Sequence, residues 1–317
     1  MKRIKALIAD LRARAEQLER RVNELRAVVP ALDAAMSTRE RDVGTGGTVL
    51  AGALAFRLFV PLLPFGLLAV ALLGYASTED AGAPGAVSHS VGISESALQS
   101  IAESSKLSQG AQISVIAFGL FALLVSSRSA VRALRAIHTL AWGMPLGRFP
   151  RAFTAAIMFI GWALAFAGLW ALGGWARSEL GPAGIPVTIA LFAGFFALWL
   201  AVSMMLPHPP QLSWRAFVPG AVLVAVGIEG IHLATVYYFS KRVEQASASY
   251  GALGSVLVLL TWLYVIGRLI VASAFLNATL WERGVRDSAL ASTDDRPALA
   301  SKSSAGDGAV RESDAGI

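Results

Sequence analysis

Six runs of apolar residues dominate the chain, at roughly Val49–Tyr75, Ala111–Val125, Phe153–Leu172, Pro186–Leu206, Ala216–Tyr238 and Leu253–Leu276. Within each run the apolar positions are continuous rather than alternating, which predicts helices and not barrel strands. A helix needs about 20 residues to cross the hydrocarbon core of a bilayer. Five runs reach that length. The second is short and is completed by Ser108–Gln109 or Ser126–Ser127. The pattern therefore predicts an all-α, polytopic membrane protein with six transmembrane helices.

A different period governs residues 1–29. Ile4, Leu11, Leu18 and Leu25 interleave with Ile8, Ala15 and Val22 at spacings of three and four, with Arg and Glu between them. This heptad-like pattern predicts an amphipathic N-terminal helix ending before Pro30. Three uses stay open: a coiled coil that makes a homodimer, a basic helix on anionic lipid, and packing on the protein's own inner face. Val-Gly-Thr-Gly-Gly at 43–47 predicts a hinge into the first span, and no Gly-Lys-Ser/Thr follows to make it a phosphate loop. Between the first two spans, Ile93, Ala97, Leu98 and Ile101 have the spacing of a short interfacial helix. After Arg286 the chain is rich in Ser, Ala, Gly and Asp, a composition expected of disorder. The predicted organisation is a helix and hinge over 1–42, a membrane domain over 43–283 and a disordered tail over 284–317.

Composition agrees with the pattern. Hydrophobic residues make up 55% and charged residues 15%, with a mean hydropathy of +0.60. Soluble domains carry about a quarter charged residues, so this chain needs lipid as part of its solvent. The net charge of +6 is a topology signal rather than a nucleic-acid footprint. Twenty-one Lys and Arg fall in segments 1–48, 126–152, 207–215 and 277–317, against four in 76–110, 173–185 and 239–252. The positive-inside rule then puts both termini in the cytoplasm. Trp142, Trp214 and Trp281 sit at predicted inner ends and Trp175 at an outer end, as belt aromatics should. The charged N-terminal stretch is not a secretory signal.

Cysteine is absent, and His89, His138, His208 and His232 show no metal-binding spacing. No Gly-x-Ser-x-Gly elbow occurs. The sequence thus predicts no enzyme, no cofactor and no metal. Its chemistry lies in polar residues within the spans. Arg57 and Arg268 lie about 12 Å from the inner ends of their helices and Glu229 about 20 Å in. His232 follows Glu229 by three residues, on the same face. Buried charges of this kind cost about 2.5–3.5 kcal/mol or more and default to function. Convergence of two cations on one carboxylate would leave an anion-binding site built from Arg57, Glu229, His232 and Arg268. Pro61 leaves the Arg57 carbonyl without its helical donor, and Pro64 follows, so the first span is expected to kink beside that cation.

Several motifs resemble a known family. Val218-Pro219-Gly220-Ala221, Glu229, Tyr250-Gly251-Ala252-Leu253, Leu260-Thr261-Trp262-Leu263-Tyr264 and Leu276-Asn277-Ala278 are similar to the signature half of the YihY/BrkB family of bacterial inner-membrane proteins. Ala53-Leu54-Ala55-Phe56 with Pro64 resembles its first span, and Arg132-Ala133-Leu134 through Trp142-Gly143 its basic inner loop. The resemblance covers about residues 45–280. It implies six spans in the cytoplasmic membrane and a role in envelope integrity or export of lipid precursors, the older ribonuclease label being regarded as mistaken. The chain departs from the family at charged places. Arg57 stands where Tyr is usual, Phe275 replaces a glutamate, and Arg268 stands at an apolar position. The expected function is a transporter or lipid translocase for an anionic, lipid-like substrate. The alternative is an envelope scaffold assembling through residues 1–29.

Overall fold

A computed structural model of the chain describes residues 28–79, 109–147, 151–180, 184–234 and 252–311, with some residues between 13 and 26. Its helices are α1 (Pro30–Gly44), α2 (Gly47–Glu79), α3 (Gln109–Ala141), α4 (Ala152–Leu180), α5 (Gly184–Met205), α6 (Val218–Ala234) and α7 (Ala252–Arg311), with a 3-10 turn at Trp214–Phe217. Six of them, α2 to α7, are long and apolar enough to cross a membrane. No strand occurs among the described residues.

The heptad positions Ile4, Ile8, Leu11, Ala15, Leu18 and Val22 lie outside the described residues, as does the expected interfacial helix at 93–101. The predicted break is present: Val29 leaves the helix and Pro30 starts α1, where a missing N–H costs nothing. The hinge is present too. Gly46 sits at φ +74°, in the left-handed region that ends α1, and α2 starts at the next residue.

Two boundaries differ from the sequence reading. The second span does not stop near Val125. α3 runs on to Ala141, through the stretch expected as an inner loop. Arg128 and Arg132 lie exposed on one face, with Arg135 half-buried beside them. Ala130, Val131, Leu134 and Ile137 are buried on the other. An amphipathic turn of this kind extends a span instead of ending it. Trp142 is correspondingly buried, edge-on to Phe217 with centroids 6.0 Å apart, and is not a belt residue. Likewise α7 continues to Arg311, past residue 284, where a disordered tail was expected. Alanines at 289, 291, 298 and 300 supply helix propensity that composition alone obscures.

The chain divides into two compact units, residues 38–276 and residues 1–37 with 277–317. In the second, Asp33 accepts from Arg26 Nε at 2.8 Å and also from Arg283. These contacts, with Arg26 the larger, hold its carboxyl below the usual carboxylate range.

The larger unit is a closed cycle of helices. Contacts run in chain order, α2 with α3, α3 with α4, α4 with α5 and α5 with α6. Leu269 of α7 fits against Gly227 of α6, and Gly267 of α7 lies so close to α2 that a Cβ there would stand 2.7 Å from the Ala51 carbonyl oxygen. Small residues at these points allow the helices to approach, as in membrane helix pairs generally. The outward faces carry Phe56, Phe118, Ile157 and Ile189, each more than half exposed. Such apolar exposure suits lipid and not water. α4 is the helix most exposed along its length, with 11% of its best apolar window buried.

Candidate functional site

The four predicted site residues do not form one cluster of equals. Arg268 is claimed by α1. Its Nη2 donates to Asp42 Oδ2 at 2.8 Å and its Nη1 to Asp42 Oδ1 at 3.1 Å, a two-pronged ion pair. The Asp42 side chain is almost wholly buried, at 8% exposure. The hinge makes this possible. A Cβ at Gly47 would stand 1.8 Å from Asp42 Oδ1, so only glycine lets the carboxylate fold back over the start of α2. Next to Arg268, Gly267 brings α7 against the α2 backbone. The expectation of a net buried cation at Arg268 is therefore corrected. Asp42 neutralises it, a residue that lies in a charged stretch reading as cytoplasmic.

Arg57 has another neighbour. It is exposed, and its Nη1 reaches the Ser129 carbonyl of α3 at 3.4 Å, a long contact. Pro61 is buried within α2 and Pro64 half-buried, but the helix continues through both. The first span is not broken at the Arg57 carbonyl. Phe275 is fully buried in the apolar core.

Glu229 and His232 do share a site. Both half-buried side chains line a small pocket with Leu169, Trp170, Leu191 and Phe195. The His232 ring meets Trp170 edge-on, centroids 5.4 Å apart and planes at 74°. Three lining residues, Trp170, Phe195 and Ile228, are also walls of a much larger space.

That space was not foreseen. It is a cavity of about 320 Å3 inside the helix cycle. Every span contributes to it, with Leu54, Val131, Trp162, Trp199, Val224 and Ile270 as examples from α2 to α7 in order. Its lining residues are all apolar or tryptophan. Trp199 is almost fully buried and its Nε1 has no hydrogen-bond partner. No sequence signal marks such a cavity, because helices apolar all round give no clue to which face turns inward. Among the described residues no group of three or more His, Asp or Glu could hold a metal ion.

The chain is 29% identical over 126 residues to the ribonuclease-like protein YfkH of Bacillus subtilis (strain 168), covering 39% of this chain. It spans 40% of that relative's length. No solved structure matches. Residues 41–297, from just before Asp42 to beyond the sixth span, match the profile of a family described as Virulence factor BrkB. This multi-pass, six-helix membrane protein belongs to the BrkB family.

Proposed function

We propose that the chain carries amphiphilic, anionic lipid-like molecules across the bacterial cytoplasmic membrane, acting as a transporter and not as an enzyme, with both termini in the cytoplasm. The observation that supports this most is the half-open apolar cavity to which all six spans contribute walls. Water gains little there, because purely apolar cavities stay dry. A hydrocarbon tail is the filler that matches the walls, and membrane lipid is its source. The volume also falls at the lower end of the range of small-molecule sites, about 300–1,000 Å3.

Glu229 and His232 stand at one end of this chamber, through the shared walls Trp170, Phe195 and Ile228. An acid and an imidazole within a span are groups that can change protonation during a transport cycle. Arg268 is left to a structural role with Asp42.

The test is flip-flop of a fluorescent phosphatidic acid in proteoliposomes, read by quenching of the outer leaflet. Ala163→Phe, which puts a ring into the cavity, is expected to stop exchange while the protein stays folded. Glu229→Gln is expected to slow it strongly. Unchanged exchange in the filled cavity would overturn the proposal.

A further inference from the structure

A second pocket lies along the helices that wall the cavity. It has a volume of about 220 Å3 and is lined by Arg135, Thr139, Met144, Gly147, Pro207 and His208 among others. Arg135 immediately follows Leu134, a cavity residue of α3, and His208 comes six residues after Val202, a cavity residue of α5. The two spaces are thus neighbours along α3 and along the chain that leaves α5 after Met205.

The pocket is cationic. Arg135 is half-buried, and among the described residues no carboxylate or carbonyl takes its guanidinium. Thr139 is committed, its hydroxyl donating to the Arg135 carbonyl at 2.7 Å. His208 is held rigidly. Its Nδ1 lies 3.0 Å from the Pro209 carbonyl oxygen and its Nε2 3.2 Å from that of Met204. Phe217 packs edge-on against its ring at 5.1 Å. Among the described residues no acid lines the pocket. A half-buried guanidinium is the fork that phosphate oxygens fit, and no described acid lies in this pocket to take it.

We propose that this pocket seats the phosphate headgroup of an amphiphile whose tail occupies the apolar cavity. The proposal rests on the reading of that cavity as a tail chamber. Arg135 supplies the charge and the hydrogen bonds, and His208, its ring fixed against two backbone carbonyls, forms part of the wall. A lipid phosphate and free phosphate share this chemistry, and the pairing of the two spaces favours the lipid.

The experiment uses the full chain in phosphatidylcholine nanodiscs, with binding followed by tryptophan fluorescence and thermal shift. The probes are dihexanoyl phosphatidic acid, dihexanoylglycerol and inorganic phosphate. Arg135→Gln is expected to weaken the phosphatidic acid by about tenfold or more, the loss of one charge-assisted contact. It should leave dihexanoylglycerol unchanged. Arg135→Lys should recover part of the loss, and Arg132→Gln, on the exposed face of the same helix, should have no effect. Equal affinity of Arg135→Gln and wild type for phosphatidic acid would overturn the proposal. So would inorganic phosphate binding as tightly as phosphatidic acid, which would make this a free-anion site. If Ala163→Phe binds phosphatidic acid like wild type while Arg135→Gln does not, the phosphate seat stands and the tail chamber falls.

Discussion

Two regions of the six-helix unit handle polar groups in opposite ways. At the seam of α2 and α7, packing is as close as backbone allows, and Arg268 is locked two-pronged onto a buried carboxylate. At the junction of α4, α5 and α6, Glu229 and His232 sit against Trp170, beside the open space that all six spans wall. The first region spends its charge on geometry, since a matched pair fixes two helices in register. The second keeps titratable groups beside open space. A charge that lines open space is therefore a better functional candidate than one packed into a helix seam. That lesson redirects attention from Arg268 to Glu229 and His232.

The largest break should come at the seam. Arg268→Ala leaves the Asp42 carboxylate, at 8% exposure, without its partner. Removing one member of a buried pair costs about 3–5 kcal/mol, and the lower end applies because the Arg268 side chain is 32% exposed. Unfolding in mixed micelles should show the loss. Adding Asp42→Ala to Arg268→Ala should restore part of it, giving a coupling of about 1 kcal/mol or more in a double-mutant cycle. Simple additivity would mean that the pair does not hold the seam.

Glycine substitutions should follow. Gly267→Leu drives a side chain into the Ala51 carbonyl and should cost about 2 kcal/mol, as overpacking does. Gly47→Ala displaces Asp42, so its cost should largely vanish in an Arg268→Ala background. If Gly47→Ala is equally harmful in both backgrounds, the hinge matters for chain direction and not for seating the carboxylate.

The cavity side should answer differently. Ala163→Phe should change stability by less than about 1 kcal/mol, in either direction, because it fills space instead of opening it. Its expected effect is on lipid exchange. A variant that loses stability as Arg268→Ala does would show the cavity to be a packed core, and the contrast between the regions would disappear.

How much of this was legible in the sequence depends on what each feature needs. The six spans come from continuous apolar runs, which survive any tertiary arrangement. The hinge at Gly46–Gly47 was legible because a left-handed residue and a close approach both demand glycine. The end of α3 was misjudged because arginines spaced by three and four look like a loop when counted and like a helix face when projected. Asp42 was hidden in Arg39-Glu40-Arg41-Asp42, a run that reads as solvated, and its partner lies 226 residues away. The tight glycine at 47 was the one local hint. Cavity walls and the Arg135–His208 pocket depend on which faces of apolar helices turn inward, and uniform hydrophobicity cannot encode that to a reader.

A smaller effect belongs to the other unit. Asp33 titrates below the ordinary carboxylate range because Arg26, then Arg283, favour its ionised form. Its contribution is present above the unfolded carboxylate pKa and is lost as pH falls through the lower folded value. Proteolysis of the α7 end should therefore accelerate only in strong acid, and Asp33→Asn should flatten that dependence. An unchanged acid profile in Asp33→Asn would exclude this contact as the cause.

The smallest structural effect should be at Arg57, and it sharpens the comparison most. Arg57 lies at a similar level of the bundle to Arg268 by residue count, yet it is exposed and makes one 3.4 Å contact to a carbonyl. Exposed polar contacts of this kind contribute about 0–1 kcal/mol. Arg57→Leu should accordingly be neutral or stabilising, since it removes a cation from an apolar face facing lipid. Arg268→Leu should destabilise, because Asp42 remains behind. The pair can be measured side by side in one unfolding series. If Arg57→Leu keeps the fold but slows lipid exchange, its cation attracts substrate along the outer face of α2 and α3. If it destabilises as much as Arg268→Leu, the distinction between a locked charge and a loose one has been drawn in the wrong place.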